Sequence, residues 1–283
     1  MPKTSITVLC ENTAGGIFGV LGEHGFAALI ERDGRSMLFD TGQGHTLAHN
    51  ACALQTDLSR VDTVILSHGH YDHTGGLPQV LFPPRGVEVV AHPEVFGEKY
   101  AELETAQGKQ RSFIGLKYTR PYLETGLQCR FRLLRECTEV APGVYFSGEV
   151  PRRTSFEEPD RRLKVRQGES IQPDPFVDDA SLLLETDKGP VVLLGCAHAG
   201  MINILEHFAE QTGHRRFHAV IGGTHLGFHG QSGPLDQTLE ALEAYSPDLV
   251  AVSHCTGQAV AAICSQRFAG RFAFANAGWS HAF

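Results

Sequence analysis

Residues 67–76 read Ser-His-Gly-His-Tyr-Asp-His-Thr-Gly-Gly and place three imidazoles and a carboxylate within six positions. A short apolar run comes directly before them and predicts a buried strand that ends where the cluster begins. Because alternate side chains of an extended segment point the same way, His68 and His70 can bind one metal ion. The chain must then turn, because Asp72 and His73 are adjacent. These two side chains predict a second metal ion beside the first.

A solvated polar loop is the ordinary alternative for this stretch, since a single histidine near a strand end is usually a surface or structural residue. Four potential metal ligands within six residues are harder to explain as structural residues than a single histidine is. Packed without a cation, they would repel one another or lack hydrogen-bond partners. The spacing therefore favours metal binding over a polar loop.

The composition indicates an ordinary globular chain. It has 283 residues, of which 42% are hydrophobic and 20% charged, and this length can bury a large core. The formal net charge of −8 does not attract nucleic acid by bulk electrostatics, which argues against a nuclease. The seven cysteines lack paired short spacings, and we find neither a signal-like segment nor an apolar window of about 18 residues. We expect a cytoplasmic protein without membrane spans.

Alternating strand-like and helix-like segments predict a layered α/β fold in a single domain covering residues 1–283. The predicted strands are Ile6–Cys10, Ala27–Glu31, Ser36–Phe39, Val61–Ser67, Val87–Ala91, Ala180–Glu185, Pro190–Gly195, His218–Ile221, Leu249–Val252 and Arg271–Ala275. The predicted helices are Thr46–Leu54, Glu94–Leu103, Met201–Gln211, Leu235–Tyr245 and Gln258–Phe268. Irregular insertion or lid segments are expected near residues 105–140 and 151–175, where no clean period is visible.

Three further histidines follow apolar strands in the second half of the chain, each next to glycine. They are His198 in Gly-Cys-Ala-His-Ala-Gly, His225 in Gly-Gly-Thr-His and His254 in Ser-His-Cys-Thr-Gly. A lone histidine at such a place is more often a satisfied loop residue, but α/β folds gather their sites at the carboxyl ends of strands. Together with the first cluster, these histidines are candidates to complete a two-metal site.

The remaining polar residues near strand ends carry weaker signals. Asp40 ends the strand Ser36–Phe39 and can orient a ligand histidine from outside, although a turn or helix-cap aspartate fits equally well. His24 has no spacing argument, and His92 can be a loop residue near the cleft. We expect surface or packing roles for His45, His49, His207, His214, His218, His229 and His281.

The motif at residues 68–73, with Asp40-Thr41-Gly42 and the later strand-end histidines, resembles the metallo-β-lactamase superfamily. The resemblance implies a four-layer αββα sandwich with a two-metal site at one edge of its paired sheets. Further motifs resemble one branch, known as 7,8-dihydropterin-6-yl-methyl-4-(β-D-ribofuranosyl)aminobenzene-5′-phosphate synthase-like, a class of metal-dependent hydrolases. These motifs lie at residues 11–13, 23–25, 66–77, 195–200 and 254–257.

The resemblance also implies two sets of ligands for two divalent ions. The sets are His68, His70 and His198 for the first ion and Asp72, His73 and His254 for the second. One position departs from the family pattern, because Cys196 stands where many members have an aspartate that bridges the two metals. Cys196 can bind as a thiolate, which would favour zinc over manganese or iron, or it can be a spectator whose place His198 or His225 fills. A site with one metal is then the alternative to a site with two.

These features predict a hydrolase that uses metal-activated water on a phosphoester or related ester-like bond of a small molecule. Asp72, the carboxylate of the cluster, and His198 are the predicted catalytic residues, with Asp72 accepting a hydrogen bond from the water. The branch favours a phosphorylated substrate, as do cations in the two irregular segments: Arg111, Lys117, Arg120, Arg152, Arg153, Arg161 and Arg162.

Two alternatives use the same fold. One is an iron-type redox or thiol-handling protein, against which the lack of a Gly-rich nucleotide fingerprint speaks. The other is a non-catalytic ligand-binding protein, against which the full set of ligands speaks. The sequence predicts neither the substrate-binding residues nor the oligomeric state.

Overall fold

The computed structural model describes residues 3–16, 19–106, 108–228 and 234–283, so His229 lies outside the described residues. In the described part, the strands are β1 Thr4–Cys10, β2 Ala27–Arg32, β3 Arg35–Phe39, β4 Val61–Ile65, β5 Glu88–Ala91, β6 Lys99–Thr105, β7 Gly108–Phe113, β8 Arg130–Leu133, β9 Thr138–Ala141, β10 Val144–Phe146, β11 Leu163–Gln167, β12 Ser170–Pro173, β13 Leu182–Leu184, β14 Val191–Leu194, β15 Ala219–Gly223, β16 Leu249–Ser253, β17 Phe272–Phe274 and β18 Ser280–Ala282. The α-helices are α1 Leu47–Ala53, α2 Tyr71–Thr74, α3 Leu77–Leu81, α4 Met201–Thr212, α5 Pro234–Ala244 and α6 Gln258–Arg267.

The described strands form three sheets. The first has the order β18-β1-β2-β3-β4-β5-β8, the second β17-β16-β15-β14-β13-β10-β9, and a smaller third sheet β12-β11-β6-β7. The strands β3, β4 and β5 run parallel in the first sheet, and β14, β15 and β16 run parallel in the second. Their near-continuous apolar sequences suit this position, because parallel strands are buried on both faces. The carboxyl ends of these parallel strands can therefore supply one shared site.

Apolar side chains of the two large sheets meet in one core that includes Phe26, Phe39, Phe146 and Leu193. On its outer face, the second sheet packs against α4, α5 and α6, and the first sheet packs against α1 and α3. The layers therefore follow the order α, β, β, α, and the predicted four-layer fold is confirmed. None of the helices in the described ranges has the length and apolar character to cross a membrane.

The helix predicted over Glu94–Leu103 is wrong. The chain makes one 3-10 turn at Pro93–Phe96 and then enters β6, which pairs antiparallel with β7 and with β11. Pairing with two partner strands decides the structure here, and a local sequence pattern does not show that pairing.

The segments near 105–140 and 151–175 are also more regular than the sequence indicates. They contain β7, β8 and β9 in the first case and the hairpin of β11 and β12 in the second. The strand β7 is exposed at every position, so it lacks the apolar alternation by which strands are recognised.

Candidate metal centre

The carboxyl ends of the parallel strands of both sheets converge at one edge of the sandwich. Four non-glycine residues just beyond these ends have left-handed φ angles: Asp40 (59°), Ala197 (56°), His225 (54°) and His254 (49°). Such conformations are uncommon for residues with side chains, and they occur at tight turns and functional sites. Each of these four strands therefore ends in a sharp turn. The turn brings Asp40, His225 or His254 to this edge, or, after Ala197, the adjacent His198.

The first group of ligand atoms belongs to His68, His70 and His198, and these atoms lie within 4.8 Å of one another. The hydroxyl of Ser67 donates to Asp40 Oδ2 at 2.6 Å, so its oxygen accepts the bond from His68 Nδ1 at 2.8 Å. The proton of His68 is thereby held on Nδ1. Its Nε2 lone pair faces His70 Nδ1 at 2.9 Å.

Buried imidazole nitrogens in this group lack partners within the described part of the chain. They are Nε2 of His70 and both nitrogens of His198, whose ring stacks on Phe176 with centroids 4.4 Å apart. An unpartnered buried polar atom costs about 1 to 3 kcal/mol. A divalent cation can bind one nitrogen of each ring, so it would satisfy one of the two free nitrogens of His198, and the three residues fit a metal ion.

The second group contains Asp72, His73 and His254. His73 Nδ1 bonds Asp40 Oδ2 at 2.7 Å, which leaves His73 Nε2 facing His254 Nε2 at 3.2 Å. Asp72 Oδ2 lies 3.5 Å from His254 Nε2 and 3.8 Å from His73 Nε2. Ligands about 2.0–2.1 Å from a tetrahedral zinc ion are about 3.3 Å from each other, so this group also fits a metal ion.

The electrostatics of the site favour the metal-binding protonation state for His70, His254 and Asp72, but not for His73. Burial lowers the pKa of His70 to about 3 and that of His254 to about 4, so both imidazoles are neutral near pH 7. Burial raises the pKa of Asp72, but the neighbouring His73 and the hydrogen bond from His24 outweigh it and hold that pKa well below its usual range. Burial lowers the pKa of His73, yet the neighbouring carboxylates of Asp40 and Asp72 raise it to about 9, so a metal ion would displace a proton from this imidazole.

Cys196 lies between the two groups. Its Sγ is 3.2 Å from His73 Nε2 and within 4.8 Å of the ligand atom of His68. A thiolate at this position could contact an ion in either group. The structure thus places Cys196 where a bridging ligand would stand, and its role stays a prediction.

His225 stands at the rim of the first group, with its ring centroid 4.3 Å from that of His198. Its Nε2 is 3.4 Å from Oδ2 of Asp160, a residue that the sequence pattern placed in an irregular segment. Both histidines line a cavity of about 440 Å³, together with Asp160 and Thr224. Asp160 has no local signal in the sequence, because its contact with His225 spans 65 residues.

Most of the basic residues expected near a substrate pair with carboxylates instead. The ion pairs are Arg111–Glu102, Arg120–Glu124, Arg153–Glu210, Arg161–Glu158 and Arg162–Asp160. Arg152 bonds the backbone carbonyls of His198 and Ala199, so it holds a ligand loop in place. Lys117 lies over the ring of Tyr71, with Nζ 4.9 Å from the centroid, and Tyr71 stands between His70 and Asp72 in the chain.

Comparison with known proteins agrees with this geometry. The 7,8-dihydropterin-6-methyl-4-(β-D-ribofuranosyl)-aminobenzene-5′-phosphate synthase of Methanocaldococcus jannaschii is 27% identical over 264 residues, which cover 89% of this chain and 87% of that protein. An uncharacterized protein of the same organism is 30% identical over 257 residues, covering 89% of this chain and 90% of its own length. A crystallised metal-dependent hydrolase of the β-lactamase superfamily is 28% identical, with a TM-score of 0.82 and 98% of both chains covered.

A family model described as the metallo-beta-lactamase superfamily matches residues 21–254, which include both ligand groups. The resemblance drawn from the sequence motifs is thus confirmed. The chain belongs to the metallo-β-lactamase superfamily.

Proposed function

We propose that this chain hydrolyses a phosphoester or related ester-like bond in a small molecule, with water activated by two divalent metal ions. One observation carries the proposal. Hydrogen bonds on the outside of the site hold the Nδ1 protons of His68 and His73, so their Nε2 lone pairs face the interior. Nitrogen atoms arranged in this way repel one another unless a proton or a metal cation lies between them, and a divalent ion can bind several of them at once.

The two groups form the proposed ligand sets. They are His68, His70 and His198 for one ion and Asp72, His73 and His254 for the other, with Cys196 between them and His225 beside the first. Zinc is the proposed metal, because imidazole and thiolate ligands suit it better than manganese. When bound, such ions supply hydroxide near neutral pH and stabilise the negative charge that develops on the leaving oxygen.

The protein side chains contribute orientation and charge. The Asp72 carboxylate is ionised at any working pH, because its pKa is held well below its usual range, and its side chain is 8% exposed. We propose that this carboxylate accepts a hydrogen bond from the attacking water as well as binding metal. His198, stacked on Phe176, would keep the first ion next to the cavity, where the substrate enters.

A phosphorylated small molecule is the proposed substrate class. The relative from Methanocaldococcus jannaschii is named for a product that carries a 5′-phosphate, and 89% of this chain aligns with it. The cavity beside His198 has about 440 Å³, a volume typical of small-molecule sites. The seven cysteines are free thiols, which supports the proposed cytoplasmic location.

Metal content and turnover test the proposal together. Purified protein should contain zinc, manganese or iron, and should hydrolyse bis-p-nitrophenyl phosphate. Replacing His68 and His70 with Ala should abolish turnover, whereas His214→Ala should not, because His214 pairs with Glu185 outside the site. Protein that neither contains nor responds to metal, or a double variant with unchanged turnover, would contradict the proposal. Oxygen consumption by an iron-loaded protein would instead support the redox alternative.

Screening phosphorylated pterins and nucleotides would narrow the substrate class. Each phosphorylated compound should be tested beside its dephosphorylated form, and only the phosphorylated compound, which carries the phosphoester bond, should be turned over. Lys117→Ala should raise KM for the phosphorylated compound, because its ammonium group lies over the ring of Tyr71, which is the residue between His70 and Asp72 in the chain. An unchanged KM would remove Lys117 from the proposed binding site.

A further inference from the structure

The side-chain amide of Asn12 lies between two imidazoles at the edge of the second ligand group. Its Oδ1 accepts the backbone N–H of Gly25 at 3.2 Å and lies 2.8 Å from His254 Nδ1. Its Nδ2 lies 3.4 Å from His24 Nδ1. A backbone N–H can only donate, so the atom facing Gly25 is the amide oxygen and the atom facing His24 is the amide nitrogen.

This orientation assigns the protons of both imidazoles. His254 Nδ1 must donate to the amide oxygen, so the proton is on Nδ1 and the Nε2 lone pair points into the ligand group. His24 Nδ1 accepts from the amide nitrogen, so its proton is on Nε2, which lies 3.1 Å from Asp72 Oδ2. One amide thus holds His254 in the tautomer that binds metal and His24 in the tautomer that donates to a carboxylate.

His24 approaches from the open side of the site. Its side chain is 48% exposed, whereas that of Asp72 is 8% exposed. Its ring centroid lies 5.2 Å from that of His254 and 6.4 Å from that of Tyr71. A ligand role for His24 is the competing interpretation, because its ring lies within 4.8 Å of the donor atoms of Asp72 and His254. The tautomer set by Asn12 argues against that role, since Nε2 then has no lone pair to share.

Close packing of the backbone keeps this arrangement in place. Gly25 has φ +148, and a Cβ atom there would lie 2.5 Å from the backbone oxygen of Asp72. The segment carrying His24 can therefore come this near to Asp72 only with glycine at position 25.

We propose that Asn12 and His24 are positioning residues for the second metal ion. Asn12 fixes the tautomer of His254, and His24 holds Asp72 Oδ2 through an N–H bond. The inference rests on the proposed two-metal function and adds two residues outside its ligand sets. Replacing a residue that hydrogen-bonds a metal ligand typically lowers metal affinity by about 10- to 100-fold. We expect this loss at the second site and no change at the first, because the bonds of Asn12 and His24 described above reach only Asp72, His254 and the backbone of Gly25.

Zinc titration of the metal-free protein tests this inference without an activity assay. Chelator competition should resolve two binding steps in the wild type. In Asn12→Ala and in His24→Ala, the second ion should bind about 10- to 100-fold more weakly while the first keeps its affinity. His24→Gln should restore most of the loss, because its amide N–H can donate to Asp72. His214→Ala is the matched control. It also removes an imidazole that bonds a carboxylate, with His214 Nε2 2.6 Å from Glu185 Oε1, but this pair lies outside the site.

Three results would overturn the inference. His24→Ala could bind both ions like the wild type, or it could weaken both ions equally. His24→Gln could bind the second ion as weakly as His24→Ala does, which would indicate that the imidazole itself binds the metal. Thermal unfolding of each metal-free variant checks that the fold is intact. A wild type that binds two ions but hydrolyses no phosphoester would contradict the proposed function alone, whereas a wild type that binds no metal would overturn both.

Discussion

Replacing Asp40 with Asn should weaken both metal sites at once, because one buried carboxylate supports a ligand of each. Asp40 is fully buried. Its Oδ1 accepts the backbone N–H of Ser67 at 2.7 Å, and its Oδ2 accepts the Ser67 hydroxyl at 2.6 Å and His73 Nδ1 at 2.7 Å. Through Ser67 it also holds the proton of His68. An amide of the same shape removes the charge and turns one acceptor into a donor.

The size of the effect follows from these three bonds. Whichever way the amide points, at least one buried donor faces an NH₂ group and stays unpaired, at a cost of about 1–3 kcal/mol. At least one charged hydrogen bond is also lost, which costs about 1.5–3 kcal/mol. We expect the metal-free protein to lose about 3 kcal/mol in free energy of unfolding. Since His68 and His73 both lose their orientation, each ion should bind about 10- to 100-fold more weakly.

Chelator-competition titration and denaturant unfolding measure the two effects separately. Asp62→Asn is the matched control, because Asp62 is 43% exposed and bonds Arg35 at 2.9 Å on the protein surface. That control should change stability by less than about 1 kcal/mol and leave both metal affinities unchanged. The reasoning is refuted if Asp40→Asn binds two ions as tightly as the wild type, or if only the second ion is weakened.

Three further changes probe other parts of the site. Burial raises the pKa of Asp179 from 3.8 to about 7, so its stabilising contribution is present below about pH 4 and lost as the pH rises to about 7. Metal-free Asp179→Asn should therefore gain stability over the wild type at about pH 8 and not at about pH 4, and equal unfolding curves at both pH values would contradict this. Cys196→Ser should remove thiolate-to-cobalt charge-transfer absorption from the cobalt-loaded protein, whereas Cys264→Ser in the helical layer should retain it. Lys99 Nζ lies 2.8 Å from the buried carboxylates of Asp174 and Asp178, so Lys99→Met leaves both without their cation. This variant should lose about 3–5 kcal/mol in free energy of unfolding, and a loss under about 1 kcal/mol in denaturant unfolding would contradict the reasoning.

The errors made from the sequence share one physical origin. The segment Glu94–Leu103 forms a turn and a strand rather than a helix, because its backbone pairs with β7 and β11, which lie elsewhere in the chain. The sequence pattern did not predict strand β7, because its side chains are exposed and show no apolar alternation. Strands at the surface owe their structure to partners, and a local pattern does not reveal partners.

The sequence pattern by itself indicated a layered α/β fold, and the resemblance of its motifs to a known family added the αββα order. The pattern located the cluster His68, His70, Asp72 and His73, because these residues lie at one strand end and in the turn after it. It also identified His198, His225 and His254 as strand-end candidates, since each follows an apolar strand.

Only the tertiary structure decided which atoms face which. Asn12 meets His254 across 242 residues, and Asp160 meets His225 across 65. These contacts arise from the packing of the two sheets and the loops at their edge, and no local spacing encodes them. The proton positions that leave imidazole lone pairs facing the candidate site depend on such distant partners, so only the folded chain reveals them.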